Sequence, residues 1–200
     1  FLIGTNIATE SIMPRKWFYV PKYDSLNIKS IYKKFGSGRK IKTFPTFNIY
    51  EYIKYHYFSG HRSISILDYL EYNKSDVLNF LQNELGYKPY PGKHYESMIT
   101  RFYQAYILPH KYNIDKRKAH LSSLIVSEQI DRKNALIELS KPLFKSNQEK
   151  ENEIEFFCKK MLLKREEFSN IIKEIPVDHH YYRSYNKIHI QLRSFLKGNK

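Results

Sequence analysis

Asn113-Ile114-Asp115-Lys116-Arg117-Lys118-Ala119-His120-Leu121-Ser122-Ser123-Leu124-Ile125 reads as a capped amphipathic helix. Asp115 can offer a side-chain oxygen to the orphan N–H groups of a first turn, so the spacing predicts a helix from Lys116 to about Gln129. Leu121, Leu124 and Ile125 recur at helical spacing and form its apolar stripe. Arg117 lies beside that stripe, where a cation either snorkels to water or meets an anion inside a cleft. Lys116 and His120, four residues apart, share a separate face.

Downstream the pattern stays helical, with segments 131–140, 148–162 and 165–174 broken by Pro142 and Lys164 and followed by Pro176. Glu151, Glu153 and Glu155 stand with Lys159 and Lys160, which reads as a solvated helix surface. From Asp178-His179-His180-Tyr181-Tyr182-Arg183 to Lys200 the chain is basic and predicts a peripheral helix. Asp178, His179, His180 and His189 are metal-ligand types close in sequence, but adjacent histidines point apart on a helix, so no metal site is assigned.

Upstream, residues 94–106 place Ile99, Phe102, Tyr103 and Tyr106 on one helical face. His94, Ser97, Arg101 and Gln104 fall on the other, which is either solvent or a site. Asn73-Lys74-Ser75-Asp76 caps a helix that Gly86 ends, with Val77, Leu78, Leu81 and Leu85 as its buried stripe. Residues 43–59 predict a helix with Pro45 in its first turn and Gly60 beyond its end, its aromatics Tyr50, Tyr57 and Phe58 in the core with Ile53. A helix is expected over Ser25–Phe35 and a short strand over Ser63–Leu67. Phe1-Leu2-Ile3-Gly4-Thr5-Asn6 reads as a buried strand running into a loop with no initiator Met, the expectation being a truncated chain whose upstream strands lie elsewhere.

With 42% apolar residues, 16% aromatics and 18 Tyr, the 200 residues have the material of a packed globule and not of a disordered tail. The 34 Lys and Arg against 20 Asp and Glu make a basic protein of net charge +14, which favours anionic partners: nucleotides, phosphosugars, nucleic acid or an anionic membrane surface. A Lys-, Ile- and Tyr-rich composition also arises from an AT-rich genome, so charge alone does not choose among them. One cysteine, Cys158, rules out an intrachain disulfide and fits a reducing, cytoplasmic setting. No run reaches the roughly 18 apolar residues of a membrane span.

Gly4-Thr5-Asn6 with Glu10-Ser11, after an apolar strand, resembles a signature segment of the PP-loop ATP pyrophosphatases, a group that includes NAD synthetases and tRNA-thiolating enzymes. The run Gly92-Lys93-His94-Tyr95-Glu96-Ser97 through Thr100-Arg101-Phe102, then Tyr106-Ile107-Leu108-Pro109 and Asp115 to Ile125, is more specific. With Thr43-Phe44-Pro45-Thr46 and Leu70-Glu71-Tyr72-Asn73-Lys74, it resembles the N-acetyl sugar amidotransferases of lipopolysaccharide O-antigen and flagellin-sugar synthesis, over residues 1 to about 175.

That resemblance implies an α/β fragment that is mostly α. Residues 1–24 would be the terminal strand and loop of a PP-loop (adenine nucleotide alpha hydrolase-like) parallel sheet, 25–175 a helical region shaping the substrate pocket, and 176–200 a basic extension. It implies adenylation of a sugar's acetamido oxygen by ATP with Mg2+, then displacement of AMP by ammonia to give an acetamidino sugar. The sugar would be nucleotide-linked. The ammonia would come from glutaminase and channel subunits resembling those of imidazole-glycerol-phosphate synthase. Gly4, Thr5, Asn6 and Glu10 would lie near the adenylate, with Lys93, His94, Arg101 and Arg117 as catalytic residues and Glu96, Lys116 and His120 on the sugar or phosphate. Fixed cations there would stabilise charge spreading over phosphate oxygens, and His94 or His120 would relay a proton from the incoming amine. The family's Ser-Gly-Gly-x-Asp-Ser pyrophosphate loop is absent from these residues, so the chain is expected to be inactive alone. Two other readings stand beside this one: an RNA-binding or tRNA-modifying relative, supported by the charge and the many Tyr residues, and a non-catalytic scaffold for the glutaminase partner.

Overall fold

Short polar side chains start most of the helices, because each satisfies first-turn N–H groups that have no partner within the helix. The computed structural model describes residues 1–14, 17, 22–90 and 95–198 and is mostly helical, 61%, with one small two-stranded parallel sheet of β1 (Leu2–Ile3) and β2 (Ile64–Ser65). In chain order, Asn6 caps α1 (Ile7–Glu10), Asp24 caps α2 (Ser25–Phe35) and Asn48 caps α3 (Ile49–Ile53), which runs into a π-helical turn over Lys54–Phe58. A 3-10 turn, Ile66–Tyr69, precedes α4 (Lys74–Leu85), which Asn73 starts and the left-handed Gly86 (φ 63°) stops. Ser97 caps α5 (Met98–Phe102), continued by a π-helical turn over Tyr103–Ile107 and by α6 (Leu108–Tyr112). Asp115, Asp131 and Ser146 cap α7 (Lys116–Val126), α8 (Arg132–Ser140) and α9 (Asn147–Met161); α10 (Arg165–Lys173) and α11 (Asn186–Gly198) complete the order.

The chain divides into two compact units. The larger holds residues 2–14 and 65–176. Its core has two clusters. Phe102, Ile154, Cys158 and Phe168 join α5, α9 and α10, with Tyr106 and Phe157 packed against them. The Phe102 ring lies 4.8 Å from Phe157 and 5.2 Å from Tyr106. Leu121, Leu124 and Ala135 join α7 to α8. Removing the Phe102 ring from such a site costs about 3–5 kcal/mol.

The smaller unit holds Phe1 and residues 15–64 and 177–200. Asp24, 1% exposed, accepts from the N–H groups of Leu26 (2.9 Å) and Asn27 (3.0 Å), and its second oxygen accepts from Tyr185 N–H at 2.7 Å, which ties the C-terminal segment to α2. Tyr52 is buried in a ring cluster with Tyr23, His56 and His189, at 5.8, 5.1 and 4.0 Å.

Several expectations are corrected. The helix expected from residue 43 starts only at Ile49, after Asn48, whose side chain and that of Glu51 cap each other's backbone, so Pro45 lies outside it. Its core aromatic is Tyr52, while Tyr50 and Phe58 are 81% and 80% exposed. Leu2 is exposed and β1 spans two residues, so the opening strand is not buried. In α4, Val77, Leu78 and Leu81 are only half-buried and Leu85 is exposed. The strand expected over Ser63–Leu67 is confined to Ile64–Ser65. Ile99 and Tyr103, placed on one face with Phe102, are exposed; from Tyr103 on, the π turn inserts an extra residue and rotates the helix, so Ala105 and Leu108 are buried with Phe102.

Candidate functional site

Small residues on α7 let α1 lie close across it. Ser123, fully buried, donates to the Ala119 carbonyl at 3.1 Å and accepts from Ile12 N–H at 3.0 Å, and Ser127 donates to the Ala8 carbonyl at 2.9 Å. This pairing brings Thr9 and Glu10 to the edge of a cavity of about 900 Å³ inside the larger unit. The remaining wall comes from Lys74 on α4, Tyr95, Arg101 and Gln104 around α5, one face of α7 from Lys116 to Leu124, and the segment from Glu138 to Glu149. Six basic side chains (Lys74, Arg101, Lys116, Arg117, Lys141 and Lys145) line it against four carboxylates (Glu10, Asp115, Glu138 and Glu149). The excess is positive even with Glu153 counted behind the wall, and it suits an anion.

The two arginines are held rigidly. Arg101 donates to Glu149 Oε1 at 2.8 Å and pairs with Glu153, while its guanidinium carbon sits 4.9 Å from the Tyr95 ring and 5.9 Å from that of Phe144. Burial works to lower the Arg101 pKa, but the Glu149 hydrogen bond and the charges of Glu153 and Glu149 outweigh it and hold it above its ordinary value. The hydrogen bond from Lys145 N–H, with the Arg101 contact, outweighs burial and leaves Glu149 below the usual carboxylate range, whereas burial pushes Glu153 up. Arg117 forks onto Asp115, at 3.1 Å from Nε to both oxygens and 2.8 Å from its terminal nitrogen, and donates to the Lys141 carbonyl at 2.7 Å. Burial would raise the Asp115 pKa, but the Arg117 hydrogen bonds bring it below the ordinary value. Neutralised in this way, both arginines act as shaped donors more than as loose charges.

His120 lies one turn after Lys116. A carbonyl can only accept, so the 3.2 Å contact between Nδ1 and the Thr9 carbonyl makes Nδ1 the N–H, and Nε2 keeps its lone pair 3.2 Å from Lys74 Nζ.

Of the residues singled out from sequence, Glu10, Arg101, Lys116, Arg117 and His120 come together in this cavity although they lie far apart in the chain. Gly4, Thr5, Asn6 and Glu96 do not line it: Thr5 meets Ser65 at 3.1 Å, Asn6 caps α1, and Gly4 and Glu96 are exposed. Lys93 and His94 lie outside the described residues. Sequence reasoning gave no site role to Lys74, read there in a helix cap and in a stretch matching the amidotransferases, or to Glu153, read as solvated but 6% exposed. Among the described residues, no group of three or more His, Cys, Asp or Glu converges as a metal site would, and no helix is long and apolar enough to cross a membrane.

A helical unit built around a basic, carboxylate-braced cavity is the class of architecture the coordinates define. Residues 96–196, just over half of the chain, match the family described as LPS biosynthesis protein WbpG-like, C-terminal domain; the chain belongs to that family and so to lipopolysaccharide biosynthesis. No curated protein and no solved structure matches it. The matched span supplies Arg101, the α7 residues and Glu149, while Glu10 and Lys74 lie before it.

Proposed function

We propose that this chain is the C-terminal part of an ATP-dependent amidotransferase, acting in the cytoplasm, that turns the acetamido group of a nucleotide-linked N-acetyl sugar into an acetamidino group. The observation that carries the reading is the gathering of Glu10, Arg101, Lys116, Arg117 and His120 around one cavity of about 900 Å³ with a positive excess. A cavity of this size accommodates a sugar together with a nucleotide phosphate. The cations would stabilise the negative charge that develops as an acetamido oxygen is adenylated and pyrophosphate leaves. His120 Nε2 is the base for the ammonia that displaces AMP. The glycine-rich pyrophosphate loop is not among these 200 residues, so the reading requires an upstream PP-loop half to bind ATP with Mg2+, and a glutaminase with its channel subunit to deliver ammonia.

The test is AMP release from ATP, measured with the chain joined to a polypeptide carrying that loop, in the presence of glutamine and the partner subunits. AMP formed only when a nucleotide-linked N-acetyl sugar is present, and lost in Lys116→Met, supports the reading. Release indifferent to the sugar sinks it.

A further inference from the structure

Charge is divided unequally between the two units. The smaller, made of Phe1 and residues 15–64 and 177–200, holds 16 Lys and Arg against 3 Asp and Glu, a net charge of +13, while the larger holds 18 against 17. An AT-rich genome biases both units alike and leaves this asymmetry unexplained. Positive charge confined to one part of a chain is the footprint of an anionic surface or polymer. The few carboxylates of the unit are engaged on its own backbone: Asp24 accepts from Leu26 and Tyr185 N–H, Glu51 from Asn48 N–H at 2.9 Å, and Asp178 from His180 N–H at 2.7 Å. Between Asp24 and Glu51 there is no acidic residue, and Lys29, Lys33, Lys34, Arg39, Lys40 and Lys42 are all exposed. Exposed Ile31, Phe35, Ile41 and Phe44 are interleaved with these cations along the second half of α2 and the loop after it. The C-terminal segment adds to the end of α2. Arg183 N–H donates to Ser30 Oγ at 3.2 Å, and Lys34 Nζ stands 4.7 Å from the exposed Tyr181 ring and 5.2 Å from that of Phe35.

We propose that this basic segment, studded with apolar side chains, docks the protein on an anionic phospholipid bilayer. The ammonium and guanidinium groups are drawn to the headgroup phosphates, and the phenylalanines and isoleucines gain by leaving water for the boundary with the acyl chains. Tyr181 suits the headgroup level, since its ring is apolar and its hydroxyl stays wet. A single-stranded nucleic acid would use the cations and the rings, but the aliphatic Ile31 and Ile41 offer it no stacking face. A bilayer takes up all of these groups at once. The partner also fits the family, because lipopolysaccharide carries its sugars on a lipid. Attachment is peripheral: among the described residues no helix is long and apolar enough to cross a membrane. This docking is independent of the chemistry in the cavity and goes beyond the amidotransferase reading.

The experiment is co-sedimentation of the whole chain with vesicles of phosphatidylcholine alone and of phosphatidylcholine mixed equally with phosphatidylglycerol, with polyuridylic acid as a competing polyanion. Binding is expected to the mixed vesicles only and to weaken as salt is added. Removing three loop cations together, Arg39→Gln with Lys40→Gln and Lys42→Gln, should weaken it on the order of 100-fold. Phe44→Ser, which changes an exposed side chain and no charge, should weaken it about 10-fold. Removing three exposed cations of the larger unit, Arg132→Gln with Lys133→Gln and Lys159→Gln, should leave it nearly unchanged. A loss there as large as in the loop variant would show that overall charge alone holds the protein, and would overturn the docking surface. Equal binding to both kinds of vesicle, or to neither, overturns it as well. Displacement from the mixed vesicles by polyuridylic acid, with Phe44→Ser indistinguishable from wild type, would assign the surface to nucleic acid instead.

Discussion

Arg101 and Glu153 form an ion pair inside the wall of the cavity, with side chains 17% and 8% exposed, and Glu149 holds the other arm of the same guanidinium at 2.8 Å. Two carboxylates around one arginine fix the direction of α5 relative to α9 more than they add stability, because taking such charges out of water offsets most of their attraction. Losing one partner is a different matter. Arg101→Ala strands Glu153 in a buried site and should cost about 3–5 kcal/mol. Arg101→Met with Glu153→Leu should recover most of that loss. Urea unfolding of the two variants reads the difference, and equal losses would show that Arg101 acts through packing alone.

Asp115 and Glu149 carry pKa values below their ordinary ones, and Glu153 carries one above. The signs differ accordingly. The first two add stability that is present above their unfolded values, about 4, and lost as pH falls through the lowered folded values. Glu153 opposes stability increasingly as pH rises from its unfolded value to its raised folded one. Asp115→Asn keeps the helix cap and removes the charge, so the acid limb of a pH-stability curve should become shallower. Asp115→Ala should also lose about 1 kcal/mol of capping at neutral pH. An unchanged acid limb in Asp115→Asn would mean that Arg117 does not hold this carboxylate in solution.

The lone thiol reports on the core. Cys158 is 6% exposed beside Phe102 and Ile154, and burial raises its pKa, so little thiolate forms at neutral pH. Labelling by an alkylating reagent should be slow in buffer and accelerate across the same urea range in which helical circular dichroism is lost. Fast labelling in buffer contradicts the packing of α9 against α5 and α10.

Leu162 ends α9 in the left-handed region (φ 55°) with its side chain 92% exposed. A side chain held there costs about 1–2 kcal/mol that glycine escapes, partly offset by glycine's greater freedom in the unfolded chain. Leu162→Gly should therefore stabilise the protein by roughly 0.5–1 kcal/mol, read as a higher urea midpoint. Destabilisation would show that the exposed leucine makes a contact worth more than the strain.

Local signals were the legible part of this fold. Asn73 and Asp115 each mark a helix start in the sequence, and Gly86 a stop, because a cap needs only residues within one turn. The π turns at Lys54–Phe58 and Tyr103–Ile107 carry no comparable signature, and the extra residue in each defeats the 3.6-residue count that set Phe58 in the core and Tyr103 on one face with Phe102. Half of the cavity was visible as cationic and polar residues on α5 and α7. Lys74 and Glu153 were not, since each takes its meaning from a partner far along the chain: His120 for the one and Arg101 for the other.

The amidotransferase reading meets its most direct test in nitrogen transfer. Amide-15N glutamine, ATP and a nucleotide-linked N-acetyl sugar are incubated with the chain, its PP-loop half and the partner subunits, and the sugar product is analysed by mass spectrometry. The expected product carries one 15N in an amidino group in place of the acetamido oxygen, with AMP formed in equal amount and both lost in Lys116→Met. A sugar recovered unlabelled, with no AMP formed although every polypeptide is folded and associated, would contradict the assignment of this cavity to acetamido-group chemistry.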